Sequence, residues 1–272
     1  MATHPLLQAL RANKPAFGAW LTLPGLFHAR TVAQASNHLS WIAIDCEHGL
    51  IPLVPGAAES VTAIQGSHPN MKGPSPIVRI PATGVTASSS WQIKNALDAG
   101  AKGIIAPMIS NAIQAKEVVA DSRFPPMGRR GFGSPFTHGI WGMTTSAEYL
   151  DVANEQILVM IQIESKESVE NVDEIASVDG VDVLFIGPYD LSISLGYPKP
   201  SPDPHPDIEK VIQKILKAAH NKGKKCAIFC TSGSQAVRRA EEGFDMINVT
   251  TDTGAMSDGI ATELAIAAGQ KE

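Results

Sequence analysis

The chain has 272 residues, with 22 Lys and Arg against 27 Asp and Glu, a formal charge of −5, 44% hydrophobic and 18% charged residues. It is long and apolar enough to bury a full core, and mildly acidic with no basic block, which excludes a nucleic-acid polyanion as main partner. Its longest apolar runs, about ten residues, are too short to cross a bilayer. Three cysteines cannot make a disulfide framework, and the first ten residues lack the cationic-then-apolar order of a signal peptide. The expectation is a soluble cytoplasmic protein whose partners are small molecules, not nucleic acid or membrane.

Short apolar runs then alternate with longer amphipathic stretches. In chain order the runs are 18–23 (GAWLTL), 41–46 (WIAIDC), 76–80 (PIVRI), 103–108 (GIIAPM), 158–164 (LVMIQIE), 181–187 (VDVLFIG), 225–230 (KCAIFC) and 246–252 (MINVTTD). They are rich in Val, Ile, Leu and Phe and mostly end at a polar residue, Gly or Pro, as buried parallel strands do. Between them, 112–120 and 208–221 carry apolar residues at helical spacing, the second stopped by Gly223, and 168–177 opens with Ser168 as a candidate N-cap. Eight such βα units in about 250 residues predict a single α/β domain over residues 1–272, a TIM (β/α)8 barrel. A doubly wound open sheet would call for a Gly-rich phosphate turn after the first strand, and Leu21-Thr-Leu-Pro-Gly-Leu is not one. The period is broken once, at a Gly-, Pro- and Arg-rich stretch over about 122–157 that reads as a lid, binding loop or interface arm. A Pro-rich connection at 201–206 reads as extended and exposed.

In such a barrel the chemistry sits where strands finish. The second strand ends Asp45-Cys46-Glu47-His48, the third carries Arg79, the fifth ends Gln162-Ile163-Glu164, the sixth runs into Gly187-Pro188-Tyr189-Asp190, and the first contributes Trp20. Glu164 and Asp190, on neighbouring strands with no Cys or His between them, suit a hard divalent cation, Mg²⁺ or Mn²⁺; the plain alternative is a helix cap and an ion pair with an arginine. Asp45 and His48, three apart, could form an acid/base pair, the carboxylate orienting the imidazole. The other histidines, such as His28, His68 and His205, read as surface residues. Arg79 inside an apolar strand needs an anion, either an internal carboxylate or a substrate carboxylate or enolate. Arg129-Arg130-Gly-Phe-Gly-Ser could cradle an anion or form a flexible lid. Cys226 and Cys230 read as core thiols, and Lys116 and Glu117 as solvated helix charges. No lysine stands in the apolar middle or end of a strand, which argues against a lysine-imine mechanism.

With these residues in this order, the chain resembles the HpcH/HpaI family of class II pyruvate-dependent aldolases. The match runs through GAWLTL, IDCEH, VRIP, LDAGAKGIIAPM, RFPPMGRRGFGS, QIES and VDVLFIGPYDLSISLGYP, nearly the whole chain. The resemblance implies that Glu164 and Asp190 bind Mg²⁺ or Mn²⁺, which chelates pyruvate. It implies further that Arg79 stabilises the enolate oxygen, that Gln162 and the Tyr189 backbone hold the substrate beside Trp20, Gly187 and Pro188, and that His48 is the base, with Asp45 supporting it or a metal-bound water. It adds Asp98 of LDAGA as a partner of the histidine. This helix should end on the face away from the mouth, so Asp98 would have to come from a neighbouring subunit of a trimeric or hexameric homo-oligomer.

Three departures accompany the resemblance: Cys46 where bacterial members usually carry Gly, a longer Ser-rich stretch after Arg79, and Tyr189 where Ala is usual. The last two would reshape the pocket. The function expected is a metal-dependent lyase that reversibly cleaves a 4-hydroxy-2-oxo acid to pyruvate and an aldehyde. Its rivals are an oxaloacetate decarboxylase or macrophomate-synthase-like enzyme using the same enolate, and a non-catalytic metabolite-binding barrel.

Overall fold

The structure, a computed structural model, describes residues 3–68, 73–82 and 89–269. Eight parallel strands close into a barrel in sequence order: β1 (Ala16–Leu21), β2 (Trp41–Asp45), β3 (Ser75–Arg79), β4 (Gly103–Ala106), β5 (Leu158–Ile163), β6 (Val183–Ile186), β7 (Lys225–Phe229) and β8 (Met246–Thr251). The expected (β/α)8 barrel is the fold, and every apolar run became its strand. The helices are α1 (Pro5–Arg11), α2 (Leu26–Ala33), α3 (Ala58–Gln65), α4 (Ser90–Asp98), α5 (Ala112–Ser122), α6 (Thr137–Ile140), α7 (Ser146–Gln156), α8 (Lys166–Glu170), α9 (Val172–Ala176), α10 (Pro188–Ser194), α11 (Pro206–Asn221), α12 (Gly233–Glu241) and α13 (Asp252–Ala267). None of the helices in the described residues is long and apolar enough to cross a membrane.

Period-two alternation sorts each strand between two cores. On β2, Trp41 and Ala43 point into the barrel, while Ile42 and Ile44 face the helices. Trp41, Ala43, Ile77, Ile105, Met160 and Phe185 belong to the inner core, which α1 closes from below with Leu6, Leu7 and Leu10. Burying each such leucine is worth roughly 1.5–3 kcal/mol. Gly18 makes room for the Trp41 ring: a Cβ there would stand 2.1 Å from it. Cys226 and Cys230 face outward into the helix-packed core, buried and unpaired, as expected of core thiols.

Several local expectations change. Ser165, not Ser168, caps the helix after β5; Ser168 is its reciprocal partner in a capping box, and 168–177 divides between α8 and α9. The stretch 122–157 is no free loop, since it contains α6 and α7, the latter with its own capping box at Thr145 and Glu148. None of its three arginines is available to an anion: Arg123 is paired with Asp182, Arg129 with Glu117 and Asp121, and Arg130 is buried against Asp98 and Tyr149. Glu117 is therefore a partner of Arg129 and not merely a solvated charge. The exposed connection at 201–206 is anchored, because Gln235 Nε2 donates to Pro202 O at 2.9 Å. Two histidines are not surface groups: His4 is buried, and His28 pairs with the buried Asp252 at 2.8 Å. Lys102, just before β4, is buried beneath the Trp141 ring. It lies at the end of the barrel opposite the strand C-termini, so the argument against a lysine-imine mechanism stands.

Candidate active site

The inward row of each strand reaches the mouth carrying the groups that chemistry needs. After Trp41 and Ala43 the next inward position of β2 is Asp45; after Ile77 on β3 it is Arg79; after Met160 on β5 come Gln162 and then Glu164. Asp45 and Arg79 are register partners across β2 and β3. A cavity of about 230 Å³ opens there, shared by Trp20, Asp45, Arg79, Gln162, Asp190 and Phe229.

Arg79 is held from three sides. Its Nε and Nη2 donate to Asp45 Oδ1 and Oδ2 at 3.0 and 2.7 Å, its Nη1 lies 3.1 Å from Glu47 Oε2, and its guanidinium carbon sits 4.9 Å from the Trp20 ring centroid. The Trp20 indole N–H donates to Asp45 Oδ2 at 3.0 Å. Burial alone would raise the Asp45 pKa, but the Arg79 guanidinium, with Trp20 and backbone donors, holds it below the usual carboxylate range. Glu47 goes the other way: burial raises it, and the charges of Asp45 and Asp190 add to that against the opposing pull of Arg79.

This arrangement corrects the Asp45–His48 pair. Asp45 turns its carboxylate to Arg79 and reaches His48 only by accepting its backbone N–H at 3.1 Å. The imidazole projects to the rim with a side chain 68% exposed, its Nε2 3.7 Å from Glu47 Oε2. Three residues apart, with β2 ended at Asp45 and the chain bending after it, a side chain at Asp45 and a ring at His48 do not share the inward row.

Glu164 is buried at the end of β5. Its Oε1 accepts the Met108 backbone N–H at 2.8 Å, and its Oε2 is the partner of the Gln162 amide. Met108 adopts φ +56°, a left-handed conformation that β4 must impose on a non-glycine residue to aim that N–H. Burial pushes the Glu164 carboxyl up to about 7, the Met108 bond opposing and the charges of Asp190 and Glu47 adding to the rise. Gly187 leaves the approach open, since a Cβ there would lie 2.9 Å from Glu164 Oε2. Asp190, in the first turn of α10, is exposed and makes no side-chain hydrogen bond among the described residues. Pro188 starts that helix and Tyr189 follows it, both on the cavity wall.

Four carboxylates thus gather at a mouth that holds one guanidinium. Asp45 and Glu47 face Arg79; Glu164 and Asp190 have no cation of the chain beside them, a deficit of positive charge that a bound divalent cation would fill. The donor set is all oxygen, which suits Mg²⁺ or Mn²⁺. No three His, Cys, Asp or Glu side chains converge as a metal-binding group among the described residues, so a cation here would keep solvent or substrate oxygens in its remaining positions.

Asp98 is not brought to this mouth within the chain. It ends α4, bound to Arg130 Nη2 at 2.8 Å and Lys94 Nζ at 3.3 Å. The Ser-rich stretch after Arg79 lies, over 83–88, outside the described residues. Glu47, Met108 and Phe229 are site residues that sequence reasoning passed over. Glu47 stood beside His48 in the motif, but only the register of β2 on β3 turns it to Arg79.

A closed barrel with its ionisable cluster at the strand C-termini defines an enzyme, and comparison with known proteins says which kind. The model of the HpcH/HpaI aldolase/citrate lyase family matches residues 23–258. A 2-keto-3-deoxy-L-rhamnonate aldolase of Escherichia coli is 30% identical over 267 residues, covering 98% of this chain and 94% of the relative. Among solved structures, an HpcH/HpaI aldolase/citrate lyase family protein from Burkholderia cenocepacia superimposes with a TM-score of 0.85 at 32% identity, covering 99% of this chain and 100% of the other. Macrophomate synthase does so with a TM-score of 0.84 at 27% identity, covering 99% and 91%. The chain belongs to the HpcH/HpaI aldolase/citrate lyase family. It is, with that family, a carbon–carbon lyase.

Proposed function

We propose that the protein is a class II aldolase that reversibly cleaves a 4-hydroxy-2-oxo acid into pyruvate and an aldehyde with the help of a divalent cation. The observation that carries this reading is the carboxylate pair at the barrel mouth, Glu164 with the charge of Asp190 beside it and Asp190 on the wall of the cavity that Arg79 also lines, neither with a cation of the chain beside it among the described residues. Those two residues would hold Mg²⁺ or Mn²⁺, which when bound supplies positive charge to the oxygens of the 2-oxo acid.

The remaining work falls to the chain itself. Cleavage removes the C4 hydroxyl proton, forms the aldehyde C=O, breaks C3–C4 and moves that electron pair through C3–C2 onto the C2 oxygen; a proton then returns to C3 to give pyruvate. Arg79, pinned by Asp45, Glu47 and Trp20, presents its charge where the C2 oxygen becomes negative, a contact typically worth about 3–4 kcal/mol in the transition state. His48, free at the rim, takes the hydroxyl proton and exchanges it with solvent. Gln162 and the backbone of Gly187, Pro188 and Tyr189 position the substrate. In this reading Asp45 positions Arg79, and Asp98 would act on His48 only from a neighbouring copy.

A homo-oligomer is supported by α13. In a (β/α)8 barrel the helix after the last strand packs beside the first, yet α13 stands off, with Met256, Ile260, Leu264 and Ile266 exposed. An apolar groove of about 540 Å³ between α2 and α12, lined by Val32, Leu39 and Val237, is left open. A second copy's α13 is the occupant that would cover both faces. The buried, unpaired cysteines support a cytoplasmic location.

The oxaloacetate decarboxylase or macrophomate-synthase-like branch is favoured by one observation, the exposed His48 imidazole, which Asp45 does not orient and which stands 3.7 Å from Glu47; decarboxylation needs Arg79 and the carboxylate pair but not a base. The deciding experiment measures pyruvate release from 4-hydroxy-2-oxo acids and from oxaloacetate by cation-stripped protein, with and without Mg²⁺ or Mn²⁺. Cation-restored release from the hydroxy-oxo acids supports the aldolase, release from oxaloacetate alone moves the protein to the other branch, and activity that survives EDTA refutes the role given to Glu164 and Asp190.

A further inference from the structure

Apart from Asp252, which is taken up by Thr22 and His28, the ionisable groups of the mouth lie on one arc of the barrel. Asp45 ends β2 and Glu47 and His48 follow it, Arg79 ends β3, Gln162 lies at the end of β5 with Glu164 directly after it, and Asp190 follows β6. The rest of the cavity wall, from the end of β6 through β7 and β8 to β1, is of another kind. Tyr189 lies edge-on to Phe229 (centroids 6.2 Å, interplanar angle 78°), Phe229 edge-on to Trp20 (5.4 Å, 85°), and Trp20 against Phe185 (5.6 Å). All four rings line the same cavity.

Polar groups on that arc are already engaged. The Thr22 hydroxyl donates to Asp252 Oδ1 at 2.6 Å, and the Thr251 hydroxyl accepts the Gly254 N–H at 2.9 Å as the cap of α13. Only the Tyr189 hydroxyl is without a partner among the described residues. A substrate chain bearing several hydroxyls would leave most of them against aromatic carbon, which a desolvated site penalises. An alkyl or aryl group would instead meet ring faces and edges along its length.

From this we infer, resting on the aldolase reading above, that the aldehyde partner carries an apolar or aromatic substituent, packed on Tyr189, Phe229 and Trp20, and not a chain of hydroxyls. Tyr189 and Phe229 are then the specificity-determining residues.

The test uses the full-length protein with Mn²⁺ in D₂O, offered pyruvate with propanal, benzaldehyde or glyceraldehyde. Propanal and glyceraldehyde have the same three carbons and differ in their hydroxyls. Deuterium uptake at pyruvate C3 reports enolate formation without any aldehyde, and adduct formation reports the partner. The expected result is deuterium uptake, with kcat/KM for propanal and benzaldehyde at least tenfold above glyceraldehyde and with that ratio falling at least fivefold in both Phe229→Ala and Phe229→Ser. Because the ratio is taken within one variant, partial loss of folded protein does not imitate it. Equal or better use of glyceraldehyde overturns the inference while leaving the aldolase reading intact, as does a ratio unmoved in both variants. Deuterium uptake with no adduct from any aldehyde also overturns it. Absence of uptake defeats the aldolase reading itself, and the inference falls with it.

Discussion

Asp45 and Arg79 sit opposite each other in the register of β2 on β3 and close a two-pronged ion pair at 2.7 and 3.0 Å. Both side chains are at least nine-tenths buried, so neither can reorient toward water, and the indole N–H of Trp20 completes the second carboxylate oxygen. The direction in which the guanidinium points is therefore a property of the sheet and not of a loop. Asp45→Asn should lower kcat/KM by about a hundredfold through a misplaced Arg79, and destabilise the fold by about 3 kcal/mol because it leaves a buried cation with half its partners. Steady-state kinetics paired with urea unfolding measure the two effects; a variant that keeps full activity would mean Arg79 needs no such clamp.

His48 is exposed and touches nothing the fold depends on, so His48→Ala should change stability by no more than about 0.5 kcal/mol. It should reduce aldol cleavage by about 10²–10⁴-fold, the usual worth of a general base, and spare oxaloacetate decarboxylation. Parallel loss of both activities would show that the proton-transfer and charge-stabilising roles are not divided as proposed.

Glu164 without a cation is held in a site that raises it to about 7. Saturating Mn²⁺, at about a hundred times its Kd, should stabilise the wild type by about 2.7 kcal/mol through mass action. The double variant Glu164→Gln, Asp190→Asn should keep or slightly raise the stability of the cation-free protein, since a like-charge repulsion is gone, and should show no response to Mn²⁺. Differential scanning calorimetry with and without the cation reads this; a preserved Mn²⁺ shift in the variant would place the cation elsewhere.

His4 is buried under the barrel, its Nε2 on Gln156 O at 3.0 Å and its Nδ1 on Ser75 Oγ at 2.8 Å. Burial lowers its pKa to about 3, with Lys102 and Arg11 adding and the Gln156 bond opposing. Below about pH 6.5 the unfolded chain takes up a proton that the folded chain refuses. Its contribution is therefore fully present above that pH and is lost as pH falls toward 3, by up to about 5 kcal/mol. In His4→Gln, the slope of unfolding free energy against pH between 6 and 4 should be shallower than in the wild type; identical slopes would remove His4 from the acid sensitivity.

The apolar face of α13 exposes Ile260 and Leu264 by 59% and 64%. If a second copy covers it, Ile260→Glu with Leu264→Glu should convert the assembly to monomers, read by sedimentation velocity across a hundredfold range of concentration. An unchanged mass would leave the groove between α2 and α12 to some other occupant.

The barrel was legible because parallel strands buried on both faces have a local signature: a run of Val, Ile and Leu, a turn, a helix. The carboxylate pair was legible for a related reason, since an ionisable residue that ends an apolar strand has few places to point. Glu47 was not, because its neighbour His48 carried the more conspicuous chemistry and nothing in the motif says which of the two turns inward.

What the sequence determined by itself was the succession of strands, the end of each strand that carries chemistry, and the membership of Glu164, Asp190 and Arg79 in one mouth; all three follow from period and order along the chain. Tertiary structure decided who pairs with whom. The lateral register of β2 on β3 gave Asp45 to Arg79 and left His48 at the rim, and closure of the barrel set Tyr189 of α10, Phe229 of β7 and Trp20 of β1, distant in sequence, against one another as a single wall. Alternation along a strand is a local property of the backbone, whereas contact between strands is fixed only when the sheet closes, which is why no reading along the chain could assign those partners.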